Sequence, residues 1–134
     1  MVQNEIHVPI TSDGDIVIAR QQGRTFATAL GFSQGDLTLI ATAISELARN
    51  IVDFAQNGEI IIRSVQKGTK KGIEIVASDR GPGIPDVLLA LQDGYSSRRS
   101  LGMGLPGTKR LMDEFEISSF PGNGTIVTIR KWED

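Results

Sequence analysis

Three polar side chains lie at helical spacing on one segment of the chain and form a candidate chemical group. Glu46, Asn50 and Asp53 fall within about 60° of one another when each residue turns the helix by about 100°, nearly opposite an apolar stripe. For these three residues alone, an ordinary solvated helix face is the more common explanation. Asparagine favours the functional interpretation, because it is a poor residue in the middle of a helix.

A second group follows an apolar strand pattern in the segment Ser78 to Pro85. Asp79 is predicted at the end of that strand, where a carboxylate can accept a hydrogen bond from an exocyclic amine. Gly81 and Gly83 would let the backbone approach a flat ring closely. A plain turn also uses such residues, but two glycines and two prolines within five positions exceed what a turn requires.

The third group is the glycine-rich segment 102–107, which matches G-x-G-x-x-G and leads into a predicted helix. The dinucleotide-binding version of this motif needs a preceding strand and a βαβ unit. Neither fits, because 95–100 is not a strand pattern and a hairpin follows. What remains is a set of N–H groups at a helix N-terminus, which favours a phosphate chain. Arg98, Arg99, Lys109 and Arg110 would add positive charge, although solvated arginines are equally consistent.

Composition limits the classes of function. The chain has 134 residues, 40% hydrophobic and 22% charged, which predicts one globular domain spanning 1–134. A net charge of -2 argues against nucleic-acid binding, and the absence of cysteine excludes disulfides and thiolate chemistry. The N-terminus lacks a signal-peptide pattern and no apolar run is long enough to cross a membrane, so we expect a cytoplasmic protein without membrane contact.

Periodicity and turn residues predict the elements that position these groups. The order is strand, two helices, two strands, helix, two strands. The predicted segments are a strand at 5–10, a helix ending near Gly31, a helix from Ser33 or Gly35-Asp36 to about Gln56, a hairpin of 59–65 and 72–77, a short helix near 85–91, a helix from about Leu105, and a hairpin of 116–120 and 125–132. This order favours an α/β two-layer sandwich, a mixed sheet with helices on one face.

The three groups together resemble the motif boxes of one family. Glu46 to Asn50 resembles the N box of the GHKL ATPases, Asp79 to Gly83 their G1 box, and Gly102-Met103-Gly104 their G2 box, in the same order and spacing. Gly124-Thr125 is similar to a Gly-Thr pair near the end of the family's sheet. The resemblance covers essentially the whole chain and extends to the small bacterial serine/threonine kinases of the anti-sigma class, especially the switch kinases of stressosomes. It implies the GHKL, or Bergerat, ATP-binding fold.

The resemblance implies a role for each matching residue, with ATP and Mg²⁺ as cofactors. Glu46 would be the general base, and Asn50 would ligate Mg²⁺ on the phosphates. Asp79 would accept from the adenine amino group, supported by Thr125. The base pocket would be shaped by Gly81 and Gly83, the phosphates would be held by Gly102, Met103, Gly104 and Leu105, and residues 94–101 would act as a lid. Asp53 has no assigned role.

The function implied is transfer of the ATP γ-phosphate to serine or threonine of a STAS-domain partner, in bacterial stress or sigma-factor signalling. A PP2C-type phosphatase is the expected second partner, which the protein would bind and activate. The alternative is an anti-sigma-like protein that sequesters a partner in a nucleotide-dependent way with little turnover. A histidine kinase domain is disfavoured, because His7 is the only histidine and lies in a predicted strand.

Overall fold

The computed structural model describes residues 5–81, 104–120 and 124–133. Their elements follow the predicted order. The strands are β1 (Glu5–Ile10), β2 (Gly58–Lys67), β3 (Lys70–Asp79), β4 (Glu114–Phe120) and β5 (Gly124–Trp132). The helices are α1 (Asp13–Leu30), α2 (Gln34–Asn50) and α3 (Gly104–Leu111), and a π-helical turn, Ile51–Ala55, extends α2. The predicted helix near 85–91 and the predicted lid at 94–101 lie outside the described residues.

The five strands form one sheet in the order β1-β2-β3-β5-β4. A mixed sheet was predicted, but all four pairs among the described strands are antiparallel. The pair of β1 with β2 is antiparallel because α1 and α2 pack together as a helical hairpin. They return the chain to the end of the sheet where β1 stops, so that Ile10 pairs with Gly58. The predicted two-layer α/β architecture itself is confirmed.

The core lies between the sheet and the α1–α2 pair. Alternate strand residues face the helices, as the two-residue period of a strand requires. The fully buried large side chains are mostly isoleucines, with Ile60, Ile62, Ile73, Ile75 and Ile129 on the sheet and Ile40, Ile44 and Leu47 on α2. Each such side chain contributes roughly 1.5–3 kcal/mol of transfer free energy on burial, so this layer holds α2 firmly against the strands.

Helix α2 begins and ends differently from a uniform helix. At its start the Ser33 hydroxyl accepts from the Asp36 N–H at 3.2 Å, which confirms the predicted cap. We predicted that the helix runs to about Gln56, but its α-helical part ends at Asn50. The Gln56 N–H then donates to the Ile51 carbonyl, five residues back, at 2.7 Å. This wider turn means that the spacing used to group Asp53 with Glu46 no longer applies beyond Asn50.

The sheet face opposite the helices, here called the outer face, carries a row of alternating charges. One residue comes from each strand, and neighbours in the row are register partners: Glu5, Arg63, Glu74, Arg130 and Glu114. We call this set the charge row. Opposite charges directly across an antiparallel pair stabilise it, so the row links all five strands.

Glu74 is the centre of the charge row and is only 7% exposed. Its carboxylate accepts from Arg130 Nε at 2.7 Å and lies 3.2 Å from Arg63 Nη1. At one end of the row, the Trp132 indole N–H and then Arg130 donate to Glu114, and these bonds lower the pKa of that carboxyl. The row therefore combines one buried carboxylate with partners that are partly exposed.

Replacing Glu74 by glutamine should destabilise the fold, because two arginines lose the anion between them. We expect a loss of about 1–3 kcal/mol in the free energy of unfolding, below the figure for fully buried pairs because both arginines reach solvent. Urea unfolding measures this. The matched control is Glu116→Gln, whose side chain also accepts from Arg130 but is 66% exposed, with an expected change below about 0.5 kcal/mol. Equal losses in the two variants would contradict the assignment.

Candidate functional site

The carboxylate of Asp79 is fixed by two backbone donors. Asp79 is the last residue of β3, and its Oδ1 atom accepts from the Gly81 N–H at 2.9 Å and from the Thr125 N–H at 3.2 Å. Thr125 lies near the start of β5, the neighbouring strand, and is 8% exposed. Among the described residues both bonds go to Oδ1, which leaves the lone pairs of the second carboxylate oxygen for a further donor.

Two glycines allow the backbone to close around Asp79. Gly124 has a φ of 92°, and a Cβ there would stand 2.2 Å from the Asp79 carbonyl oxygen. A Cβ on Gly81 would stand 2.5 Å from the Ala55 Cβ. Side chains at these positions would therefore force the strand ends and the π-helical turn apart. The predicted role of Gly81 in shaping a pocket is consistent with this close approach.

Glu46 and Asn50 lie one turn apart at the end of α2, and both are half-buried. The Glu46 Oε2 atom is buried and accepts no hydrogen bond from the described part of the chain. Burial raises the pKa of the Glu46 carboxyl; the positive charge of Arg49 opposes this shift and the negative charge of Asp53 adds to it. A buried carboxylate oxygen without a donor is costly, and such groups are often found where a protein acts on a ligand.

The π-helical turn connects these two parts of the site. It begins directly after Asn50, and its last residue, Ala55, lies against Gly81. Helix α3 packs against α2 and begins at Gly104, with Leu105 as its second residue. The structure thus brings Asp79, Gly81 and Thr125 together at the strand ends, and places Gly81 against Ala55 in the turn that follows Asn50. The remaining predicted positions, Gly83, Gly102, Met103, Arg98 and Arg99, lie outside the described residues.

The site residues suit a magnesium ion that is held mainly by a nucleotide. No cluster of three or more His, Asp or Glu side chains that could hold a metal occurs within 5–81, 104–120 and 124–133. Mg²⁺ usually keeps several waters and takes one or two protein oxygens together with phosphate oxygens. The amide oxygen of Asn50 is a ligand of that kind, so the residues present fit this mode of binding.

Sequence reasoning missed two contacts of the site. The first is between Gly81 and Ala55, which depends on the π-helical turn and leaves no signal in the sequence. The second joins the hydroxyls of Ser119 and Thr125, 2.9 Å apart. We predicted that the last strand starts at Thr125, whereas β5 starts at Gly124, and in the hairpin Ser119 is the register partner of Thr125. A one-residue difference in the hairpin concealed this pair.

Comparison with known proteins assigns the family. Residues 11–131 match the model of the histidine kinase-like ATPase domain. The chain belongs to the histidine kinase-like ATPase family. Among curated proteins it is 52% identical over 125 residues to the serine/threonine-protein kinase RsbT of Bacillus subtilis (strain 168), covering 93% of this chain and 94% of RsbT. It is also 35% identical to an anti-sigma F factor of Thermoanaerobacter sp. (strain X514), over 85% of this chain and 82% of that protein.

Two solved structures share the fold of this histidine kinase-like ATPase. The RsbU and RsbW domains of Rv1364c from Mycobacterium tuberculosis superpose with a TM-score of 0.63 at 21% identity, over 98% of this chain and 32% of that longer chain. The catalytic domain of the histidine kinase ThkA gives a TM-score of 0.52 at 17% identity, over 98% and 95%. At these identities the likeness concerns the fold alone.

The predicted GHKL resemblance is confirmed, and the match to RsbT places the chain in the serine/threonine kinase branch of the family. Family membership implies nucleotide use.

His7 lies on the outer face of the sheet beside Glu5 and Glu59, whereas α2 packs on the other face. None of the helices in the described ranges has the length and hydropathy needed to cross a bilayer.

Replacing Gly81 by alanine should destabilise the protein, because the new Cβ would lie 2.8 Å from the Ala55 Cα, a backbone atom that cannot rotate away. We expect a loss of about 1–3 kcal/mol in the free energy of unfolding, the usual cost of overpacking. The control is Gly35→Ala near the start of α2, where nothing lies within 4 Å of the new Cβ. That change should be neutral or stabilising by up to about 1 kcal/mol. A Gly81→Ala protein as stable as wild type would refute the close approach.

Replacing Glu46 by glutamine should stabilise the protein at neutral pH. Since the folded-state pKa of Glu46 is raised above 4.5, ionisation of Glu46 disfavours the folded state once the pH exceeds the pKa of this group in the unfolded chain. We expect a rise in Tm of about 1–3 °C at pH 7. The rise should disappear below pH 4.5, where the Glu46 carboxyl of the wild-type protein is protonated in both the folded and the unfolded state. In an Asp53→Asn background the gain should be smaller. A lower Tm for Glu46→Gln at pH 7 would contradict this expectation.

Proposed function

We propose that this protein is a switch kinase that transfers the γ-phosphate of ATP to a serine or threonine of a STAS-domain partner in bacterial stress or sigma-factor signalling. It would also bind and activate a PP2C-type phosphatase. The proposed single domain, 1–134, would carry the whole nucleotide site. The predicted cytoplasmic location remains a prediction.

The observation that carries the proposal is the environment of Glu46. Its buried Oε2 atom and raised pKa describe a carboxylate ready to take a proton, one helical turn from the amide of Asn50. A general base works best when its pKa lies nearer the working pH than that of a free carboxylic acid. The alternative interpretation of this helix face is a solvated surface, and a glutamate there would have neither a buried oxygen nor a raised pKa.

The proposed reaction uses Glu46 to accept the proton of the attacking hydroxyl. The serine oxygen forms a bond to the γ-phosphorus, the bond from phosphorus to the β–γ bridging oxygen breaks, and ADP leaves with that electron pair. Because phosphoryl transfer passes through a loose transition state, placement and charge stabilisation contribute most of the catalysis. Mg²⁺ supplies charge neutralisation at the phosphates when it is bound, and Asn50 is the residue that would hold it.

The nucleotide would be held at its two ends by different segments. At the base end, Asp79 would accept from the adenine amino group, since Gly81 and Thr125 already hold Oδ1. At the phosphate end, the N–H groups at the start of α3 would face the phosphates, with Gly102 and Met103 before Gly104 and Leu105. Gly83 would complete the base pocket beside Gly81.

The relatives support a role in signalling that acts on partner proteins. The relative with 52% identity is named a serine/threonine-protein kinase, and a solved neighbour joins an RsbU domain to an RsbW domain. The anti-sigma F factors, at 35% identity, favour a second candidate function in which the protein sequesters a partner and turns over little. The two functions require the same nucleotide site and differ in whether Glu46 is needed.

A transfer assay tests the proposal. The protein is mixed with γ-labelled ATP, Mg²⁺ and the cognate STAS-domain protein, and label on serine or threonine is measured together with ATP affinity. We expect Glu46→Gln to lower kcat by about 10²–10⁴-fold with ATP still bound, and Asn50→Ala to lose chiefly metal-dependent transfer. Asp79→Asn should lose chiefly ATP affinity. Glu116→Gln, on the outer face, is the control and should match wild type.

Absence of label with the wild-type protein would refute the kinase assignment, and undiminished label with Asp79→Asn would refute transfer from this nucleotide site. Binding of the partner by the Glu46→Gln variant is measured in parallel by calorimetry. If neither protein transfers label and the variant binds the partner as tightly as the wild type does, the sequestering function is established instead.

A further inference from the structure

The peptide unit between Gly124 and Thr125 has its two polar groups engaged by different residues. Its N–H group, on Thr125, donates to Asp79 Oδ1 at 3.2 Å. Its carbonyl, on Gly124, accepts from the Ser119 hydroxyl at 3.4 Å. The same hydroxyl lies 2.9 Å from Thr125 Oγ1. Ser119 therefore contacts this peptide and the side chain beside it, while Asp79 takes up its N–H.

This peptide is paired with a strand on one side only, because Gly124 and Thr125 are register partners of Phe120 and Ser119 of β4. Gly124 has a φ of 92°, in the left-handed region, and is the first residue of β5. The strand pairs of β3 with β5 begin at Ser78 and Ile126, beyond the peptide. A strand end with a glycine in that conformation has more backbone freedom than the strand that follows. The Ser119 contacts reduce that freedom.

We propose that Ser119 is a positioning residue for base recognition: it orients the Gly124–Thr125 peptide, which in turn holds the Asp79 carboxylate in place for adenine. This rests on the proposed function in one respect, namely that the site binds ATP. Neither the sequence motifs nor the family roles of Asp79 and Thr125 assign any part to Ser119.

The chemistry of the base makes the consequence specific. Adenine carries a 6-amino donor, whereas guanine carries a 6-oxo acceptor at the same position. A carboxylate fixed beside that position binds the donor and repels the acceptor. A carboxylate that can rotate discriminates less, because part of its binding energy is spent on ordering it. Ser119 should therefore affect the preference for ATP over GTP more than it affects GTP affinity or fold stability.

The test uses calorimetry of Mg-ATP and Mg-GTP binding to the full chain, which needs no phosphoacceptor. Ser119→Ala should weaken ATP binding by about three- to tenfold, the value of one modest hydrogen bond, and reduce the ATP-to-GTP affinity ratio with it. Ser119→Thr keeps the hydroxyl and should restore most of the affinity. Ser118→Ala is the matched control, because Ser118 is exposed on the outer face and pairs with Ile126.

A second measurement does not depend on the nucleotide. Hydrogen exchange of the Thr125 amide, followed by NMR on the nucleotide-free protein, should be faster in Ser119→Ala and unchanged in Ser118→Ala. Where transfer can be assayed, Ser119→Ala should raise KM for ATP and leave kcat within about twofold, since Glu46 and Asn50 lie on a different element.

The possible failures are distinguishable. Equal ATP affinity and an equal ATP-to-GTP ratio in wild type and Ser119→Ala would overturn the role of Ser119 and leave the kinase proposal standing. A lower Tm in Ser119→Ala with no change in the ratio would reduce Ser119 to a structural residue. Weakened ATP binding by Ser119→Ala, together with no phosphoryl transfer by wild type, would refute the kinase function and support the positioning role of Ser119. Absence of ATP binding by wild type would refute both.

Discussion

The Asp79 carboxylate joins the end of β3 to the start of β5, and the candidate site is arranged around that junction. One oxygen accepts two backbone N–H groups, from Gly81 and Thr125. Those groups belong to segments that are 44 positions apart in the chain, as their residue numbers show. The carboxylate thereby ties the segment after β3 to the start of β5, where Gly124 lies close to the Asp79 backbone. Chemistry at this end of the sheet depends on that junction.

The two faces of the sheet have different roles. The inner face supplies apolar side chains that hold α2, and the position of α2 fixes Glu46 and Asn50. The outer face carries the charge row, in which partners from all five strands stabilise the register. Because register determines which residues lie opposite one another at the strand ends, a slip of one residue would separate Thr125 from Ser119. The outer face thus supports the site without contributing a group to it.

Helix α2 contributes to the site through its end more than through its length. The π-helical turn after Asn50 spans five residues, and its last residue, Ala55, lies against Gly81. Such turns are uncommon and are often found at functional sites. Here the turn brings Ala55 against Gly81, and so links the end of α2 to the segment that holds the Asp79 carboxylate.

The sequence by itself determined the order of the elements, the two-layer fold and the family, because periodicity, turn residues and the three motif boxes are local patterns. It also indicated Glu46, Asn50 and Asp79 as candidates by residue type and spacing. Only the tertiary structure decided that the described strands pair antiparallel throughout and that Ala55 closes against Gly81. It also decided that Ser119 contacts the Gly124–Thr125 peptide and that the charge row crosses the sheet. Those features depend on which residues meet across strands and turns, and a single residue of register or of helical pitch changes them while leaving the local pattern intact.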